Sequence, residues 1–362
     1  MSKNKAEEKK RSKQSGLDEG GSRNSGEKEE RFHAWADAIR SGNRRDLARA
    51  ITLVESTRPD DLEYAQQLLE LLLPYTGGAD RIGVSGVPGV GKSTFIDTLG
   101  KELIADGRKV AVLTVDPSSP LSGGSILGDK TRMVEFSCME EAFIRPSPAG
   151  KTLGGVARKT REAMLMCESA GYDVVIIETV GTGQAEWQVS SMVDLFAVLM
   201  MSNAGDSLQG IKRGILEMAD IILVNKADGN LKEAAELTAN EYRNAMKLMD
   251  NGDCATAVHT CSALDPESVR LCWRHFTGAL SQRKNDSRFE NRRYAQLLQW
   301  IRSPAEDSLQ QILQNSTSRS VLEDLADQVH NKKITPLHAG LVYRRNIVSE
   351  FADLDRHSKV PN

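Results

Sequence analysis

The stretch SGVPGVGKST, residues 85–94, constrains the fold more than any other part of the chain. The apolar run RIGVSG leads into it, and the helical pattern STFIDTLGKELIADG leads out of it. Gly86, Gly91, Lys92 and Ser93 satisfy the spacing G-x-x-x-x-G-K-[ST] in a strand–loop–helix context. Glycines let successive backbone N–H groups turn inward around an anion. The helix start adds unpaired N–H groups and the positive end of its dipole. Such a loop cradles phosphate, and Gly86, Pro88, Gly89, Val90, Gly91, Lys92, Ser93 and Thr94 are its expected lining. Lys92 would neutralise the β- and γ-phosphates, and the Ser93 hydroxyl would ligate Mg2+.

The rest of the chain agrees with that motif. Five apolar runs, RIGVSG, KVAVLTVD, DVVIIETVG, LFAVLMMS and DIILVNKAD, are continuous rather than alternating, as strands buried on both faces are. Helical patterns fall between most of them. Repeated βα units predict an α/β fold of the P-loop NTPase type, a mostly parallel sheet with helices on both faces. Ligands of such sheets bind at the carboxyl ends of the strands, where all the motifs lie. The expected divisions are a disordered charged tail over 1–31, an N-terminal helical element over 32–78, a nucleotide-binding domain over 79–282 and a helical arm over 283–362. Asp60 or Asp61 would cap the second N-terminal helix.

The base and the metal have their own signals. In LVNKAD, Asn225, Lys226 and Asp228 follow an apolar strand. A carboxylate at Asp228 can accept from guanine N1–H and N2–H together, whereas adenine would leave it desolvated and unpaired. CSAL follows, and Ser262, Ala263 and Leu264 would present a backbone N–H to guanine O6. Asp116 and Asp129 are expected near Mg2+ with Glu178, and the amide of Gly181 would meet the γ-phosphate. The position that holds a water-orienting Gln in Ras-like enzymes is Thr182, with Gln184 two residues on. Lys92 and Glu178 are candidate catalytic groups, as are Gly181 and Lys212, the latter in the glycine-flanked stretch QGIKRG.

Composition excludes several classes. A net charge of −3 over 362 residues argues against a nucleic-acid surface. The five cysteines have no zinc spacing and read as reduced thiols. No apolar run is long enough to span a bilayer. The first 30 residues lack the apolar segment of a signal peptide, and their interspersed acids are unlike a transit peptide, so a cytoplasmic location is expected.

The motifs together resemble the MeaB/ArgK-type GTPases, relatives of the human methylmalonic aciduria type A protein. The matching segments include GVSGVPGVGKSTFID, VAVLTVDPSSPLSGGSILGDKTRM, TLGGVARKTRE, DVVIIETVGTGQAE and GDSLQGIKRGILEMADIILVNKADG. The resemblance implies a SIMIBI-class GTPase domain with GTP or GDP and Mg2+ as ligands, and a C-terminal arm that forms homodimers. It also implies a B12-dependent acyl-CoA mutase as partner, chiefly methylmalonyl-CoA mutase, whose adenosylcobalamin loading the GTPase gates and whose activity it protects. Asp206, Gln209 and Lys212 match a third switch loop. The chain departs from the family pattern at Thr182, Trp187, Ser202, Asn203 and Ser207. Competing readings are a GTP-dependent nickel metallochaperone, for which the His-rich tail or Cys/His site is missing, and a GTP-binding module with little turnover.

Overall fold

The computed structural model describes residues 19–115, 133–147, 153–179, 185–202, 213–249 and 256–357. Three helices open it: α1 (Glu19–Arg40), α2 (Arg44–Glu55) and α3 (Pro59–Leu72). Residues 19–31, expected in a disordered tail, therefore belong to α1. They extend a segment that buries Ala36 and Ile39. Gly42, at φ 83°, breaks the helical pattern that follows, and the Asn43 side chain caps α2 by accepting from the Arg45 and Asp46 amides. In α3 the expected cap is displaced. Arg58 holds the cap position, Pro59 opens the helix, and Asp60 and Asp61 lie in its first turn. The Asp61 carboxylate accepts instead from the Ser56 hydroxyl at 2.6 Å.

The next part alternates β1 (Asp80–Gly86), α4 (Lys92–Ala105), β2 (Val110–Val115), the short α5 (Val134–Ser137) and β3 (Ala142–Ser147). It continues with α6 (Leu153–Ser169), β4 (Val174–Thr179), α7 (Ala185–Ser190), β5 (Leu195–Met201) and α8 (Arg213–Met218). Then come β6 (Ile221–Asn225), α9 (Lys232–Met249), β7 (Ala257–Thr260) and α10 (Pro266–Asn285). The seven strands lie in the order β3-β2-β4-β1-β5-β6-β7, and every pair is parallel. β1 sits at the point where the order reverses, so the loop after it opens into the crevice where such sheets bind ligands.

Side chains of β1 alternate between two buried faces. Ile82 and Val84 share one cluster with Phe95, Ile96 and Leu99 of α4 and with Val269, Trp273 and Phe276 of α10. Gly83 faces the other way, where an added Cβ would come within 2.6 Å of Phe196 and 3.1 Å of Val189. Each fully buried Leu, Ile, Val or Phe contributes roughly 1.5–3 kcal/mol. The phosphate loop is therefore carried by a strand packed on both faces.

The N-terminal helices are part of the same compact unit, Met1–Phe289, rather than a separate element. Arg145 of β3 pairs with the Glu55 carboxylate, and Lys159 of α6 donates to the Glu55 carbonyl at 2.5 Å. Gln66 of α3 donates to Glu162 of α6 at 3.1 Å. Burial raises the Glu55 pKa, although Arg145 and Lys159 both pull it down.

The second unit starts at Glu290, seven residues after the expected boundary at 283. Residues 283–289 stay with the first unit because Arg283 donates to the Asp194 carbonyl and to Asp220, and Phe289 is buried in the sheet cluster. The second unit holds most of α11 (Arg288–Gln314) with α12 (Ser316–His330) and α13 (Pro336–His357). Within it, Glu350 accepts from both Asn315 and Ser318, at 2.5 and 2.9 Å. Among the described residues no helix is long and apolar enough to cross a membrane.

Candidate functional site

The loop between β1 and α4 has the backbone that its glycines anticipate. Gly86, Gly89 and Gly91 have φ of 146°, 78° and 102°, values that L side chains rarely adopt. Space adds a second reason at two of them. A Cβ on Gly86 would lie 2.4 Å from the Leu199 carbonyl oxygen, and one on Gly91 would lie 2.5 Å from the Asn225 amide nitrogen. Val90 is fully buried, so its contribution to the loop is its backbone, and Pro88 is exposed and has no N–H to offer. Lys92 is 8% exposed, and its ammonium donates to the Gly86 carbonyl at 2.8 Å and to that of Val87 at 3.3 Å. The loop thus holds its own cation in place.

Ser93 is the second residue of α4, and its hydroxyl donates to Glu178 at 3.1 Å. Glu178 lies near the end of β4, with Cα partners Val84 on β1 and Thr114 on β2. Next to it, the Thr179 hydroxyl donates to that of Ser85 at 2.8 Å and ties the two strand ends together. Two oxygens 3.1 Å apart nearly match an edge of an Mg2+ octahedron, about 2.9 Å for metal–oxygen distances of 2.0–2.1 Å. A hydroxyl and one carboxylate are also the sparse, hard donor set that Mg2+ takes, with waters completing the shell. Asp116, Asp129, Gly181 and Lys212 lie outside the described residues, as do Thr182 and Gln184.

The base-reading side is assembled from β6, the loop after β7, and α4. Lys226 has φ 61°, which turns the chain so that the exposed Asp228 follows it; the Ala227 amide donates to the Cys261 carbonyl at 3.0 Å. One carboxylate oxygen of Asp228 accepts from the Ser262 hydroxyl at 3.0 Å. Asn225, expected among the nucleotide-binding residues, bridges two loops. It is 1% exposed, its amide nitrogen donates to the Val90 carbonyl at 2.8 Å, and its oxygen accepts the Ala263 amide at 2.9 Å. Burial at the end of β6 turns this side chain inward, so it joins the phosphate loop to the base loop.

Two further residues hold the base loop. The Ser268 hydroxyl accepts the Ser262 amide at 2.9 Å, and the Thr98 hydroxyl donates to the Ala263 carbonyl at 2.7 Å. No motif marks either one. A buried threonine in the middle of a helix has the same sequence signature whether it packs or holds a loop.

Known proteins resemble the chain along most of its length. The family model described as "Methylmalonyl Co-A mutase-associated GTPase MeaB" matches residues 47–318. The chain is 48% identical over 311 residues to the Mycobacterium tuberculosis protein named "Probable GTPase Rv1496", covering 83% of this chain and 90% of that one. It is 42% identical over 313 residues to "Methylmalonic aciduria type A homolog, mitochondrial" of Caenorhabditis elegans, covering 83% and 78%. Among solved structures, a crystal structure of "LAO/AO transport system kinase" aligns with a TM-score of 0.71 at 33% identity, over 90% of this chain and 97% of that one.

Proposed function

This chain belongs to the MeaB family of GTPases, and we propose that its GTP cycle controls an adenosylcobalamin-dependent acyl-CoA mutase, gating cofactor loading and protecting the enzyme. The match of the mutase-associated family model over residues 47–318 carries this reading. Methylmalonyl-CoA mutase is the favoured partner, and adenosylcobalamin belongs to that partner. The chain itself binds guanine nucleotide and hydrolyses GTP.

In this reading Ser93 and Glu178 hold Mg2+, with Asp116 and Asp129 nearby, and the ion offsets charge on the β- and γ-phosphates. Lys92 leaves the Gly86 and Val87 carbonyls to meet those phosphates. Thr182 is too short to orient water as Gln does, so turnover is slow until the partner fixes the water, Lys212 or both. A cation supplied in this way is worth roughly 10³–10⁵ in rate, and positioning alone nearer 10². The second unit would form the homodimer seam. Tyr294, Ile301, Leu337 and Val348, which are 64%, 76%, 76% and 62% exposed, support that assignment.

The test is single-turnover GTP hydrolysis with and without the mutase, in wild type and in Lys212→Ala. The variant should keep basal hydrolysis and lose the stimulation. Fast hydrolysis by the isolated protein, or full stimulation of the variant, would overturn the mechanism. Absence of any effect of the mutase would overturn the partner.

A further inference from the structure

The base loop is held by hydrogen bonds that leave one amide pointing outward. The Ser262 amide is donated to Ser268 and the Ala263 amide to Asn225, at 2.9 Å each. The Ala263 carbonyl is drawn to the Thr98 hydroxyl at 2.7 Å, inside the body of the unit, where Thr98 is 9% exposed. The peptide joining Ala263 to Leu264 is trans, as is every described peptide. In a trans peptide the C=O and N–H point in opposite directions. Fixing the carbonyl inward on Thr98 therefore fixes the Leu264 N–H outward. Leu264 is 74% exposed there, one residue before the Asp265 that caps α10.

We propose that Thr98 is a positioning residue for base selectivity: by gripping the Ala263 carbonyl it aims the Leu264 N–H at the oxygen on C6 of guanine. This rests on the guanine-nucleotide reading of the site. An N–H fixed at that place donates to guanine O6 and opposes the amino group of adenine, which is itself a donor. Asp228 reads the N1–H and the C2 amino group from another element. Discrimination at C6 is thus separable from discrimination at N1 and C2. Helix α4 then serves both ends of the nucleotide, with Lys92 and Ser93 at the phosphates and Thr98 under the base.

The experiment compares GDP with 6-thio-GDP on the full-length protein by calorimetric titration. The thio analogue keeps N1–H and the amino group for Asp228 but offers sulfur, a weak acceptor, at C6. Wild type should prefer GDP by about tenfold, the upper range for one well-placed neutral hydrogen bond. Thr98→Val should narrow that preference to about twofold, and Thr98→Ser should restore it. Leu264→Pro, which deletes the N–H in an exposed loop, should abolish the preference without touching Thr98. Equal weakening of both diphosphates in Thr98→Val, or full discrimination in Leu264→Pro, would overturn the proposal. Equal affinity of wild type for GDP and ADP would instead bring down the guanine reading beneath it.

Discussion

Asp228 is exposed at the start of its loop, with one carboxylate oxygen held by Ser262. Asp228→Asn keeps an oxygen for that hydroxyl but places an N–H donor against guanine N1–H. GTP affinity should fall by about 1.5–3 kcal/mol, the usual loss of a charge-assisted pair, and xanthosine triphosphate should bind better than GTP. Competition titrations of the two nucleotides check this. His259 makes a prediction of a different kind. Its ring stacks on that of His275 at 3.6 Å and 11°, and burial, with help from His275 and Arg243, lowers its pKa from 6.5 to about 4. Between those two values the unfolded chain binds a proton that the folded one refuses. Stability from this group is therefore full above pH 6.5 and is lost as pH falls toward 4. His259→Gln should flatten the fall in urea midpoint over that window and change little at pH 8. A parallel fall in both proteins would show that other groups dominate there.

At the scale of elements, the loop before α4 is locked by its neighbour β6. Gly91→Ala would drive a methyl group into the Asn225 amide while asking Ala to hold φ 102°. The Asn225 bridge from Val90 to Ala263 would open, and nucleotide affinity should drop at least tenfold, on the order of 1.4 kcal/mol or more. Gly89→Ala meets nothing within 4 Å and has only its φ of 78° to bear, so a loss on the order of 1 kcal/mol is expected. Similar affinities in the two variants would contradict a role for the Asn225 bridge in binding. The elements differed in how readable they were. The phosphate loop and the five inner strands were legible because their signals are local: glycine spacing and runs that are apolar on both faces. β3 and β7 were not among those runs. They lie at the two ends of the sheet, and their sequences AFIRPS and AVHT mix in Arg145, Pro146 and His259, which edge strands tolerate. The reach of α1 toward Glu19 and the cap at Arg58 depended on helix continuation and on Pro59 rather than on any apolar stripe. Thr98, Ser268 and the inward turn of Asn225 depend on contacts across 165, 6 and 38 residues, and only folding brings those partners together.

For the molecule as a whole, the division at Phe289 says where the chain can be cut. A protein ending at Phe289 keeps α10, with Arg283 on Asp220 and Lys284 on Asp80. It should fold, bind GTP with wild-type affinity and sediment as a monomer, whereas the full chain should sediment as a dimer at micromolar concentration. Ending at residue 282 instead removes those basic anchors, one in a partly buried ion pair, and the buried Phe289, and should lower the midpoint of thermal or urea unfolding, chiefly through the lost aromatic side chain. A monomeric full-length protein would reject the dimer. The sheet order has a last consequence, which concerns synthesis. Among the described strands β1 hydrogen-bonds only to β4 and β5, and β2 passes it by. Val174 leaves the ribosome 88 residues after Gly86 (174 − 86), a delay of roughly 4–18 s at 5–20 residues per second. Throughout that interval the nascent chain carries its central strand with both edges bare. Soluble yield will then track how well the growing chain is shielded during translation, and variants that leave the finished protein's stability unchanged can still be lost before β4 arrives.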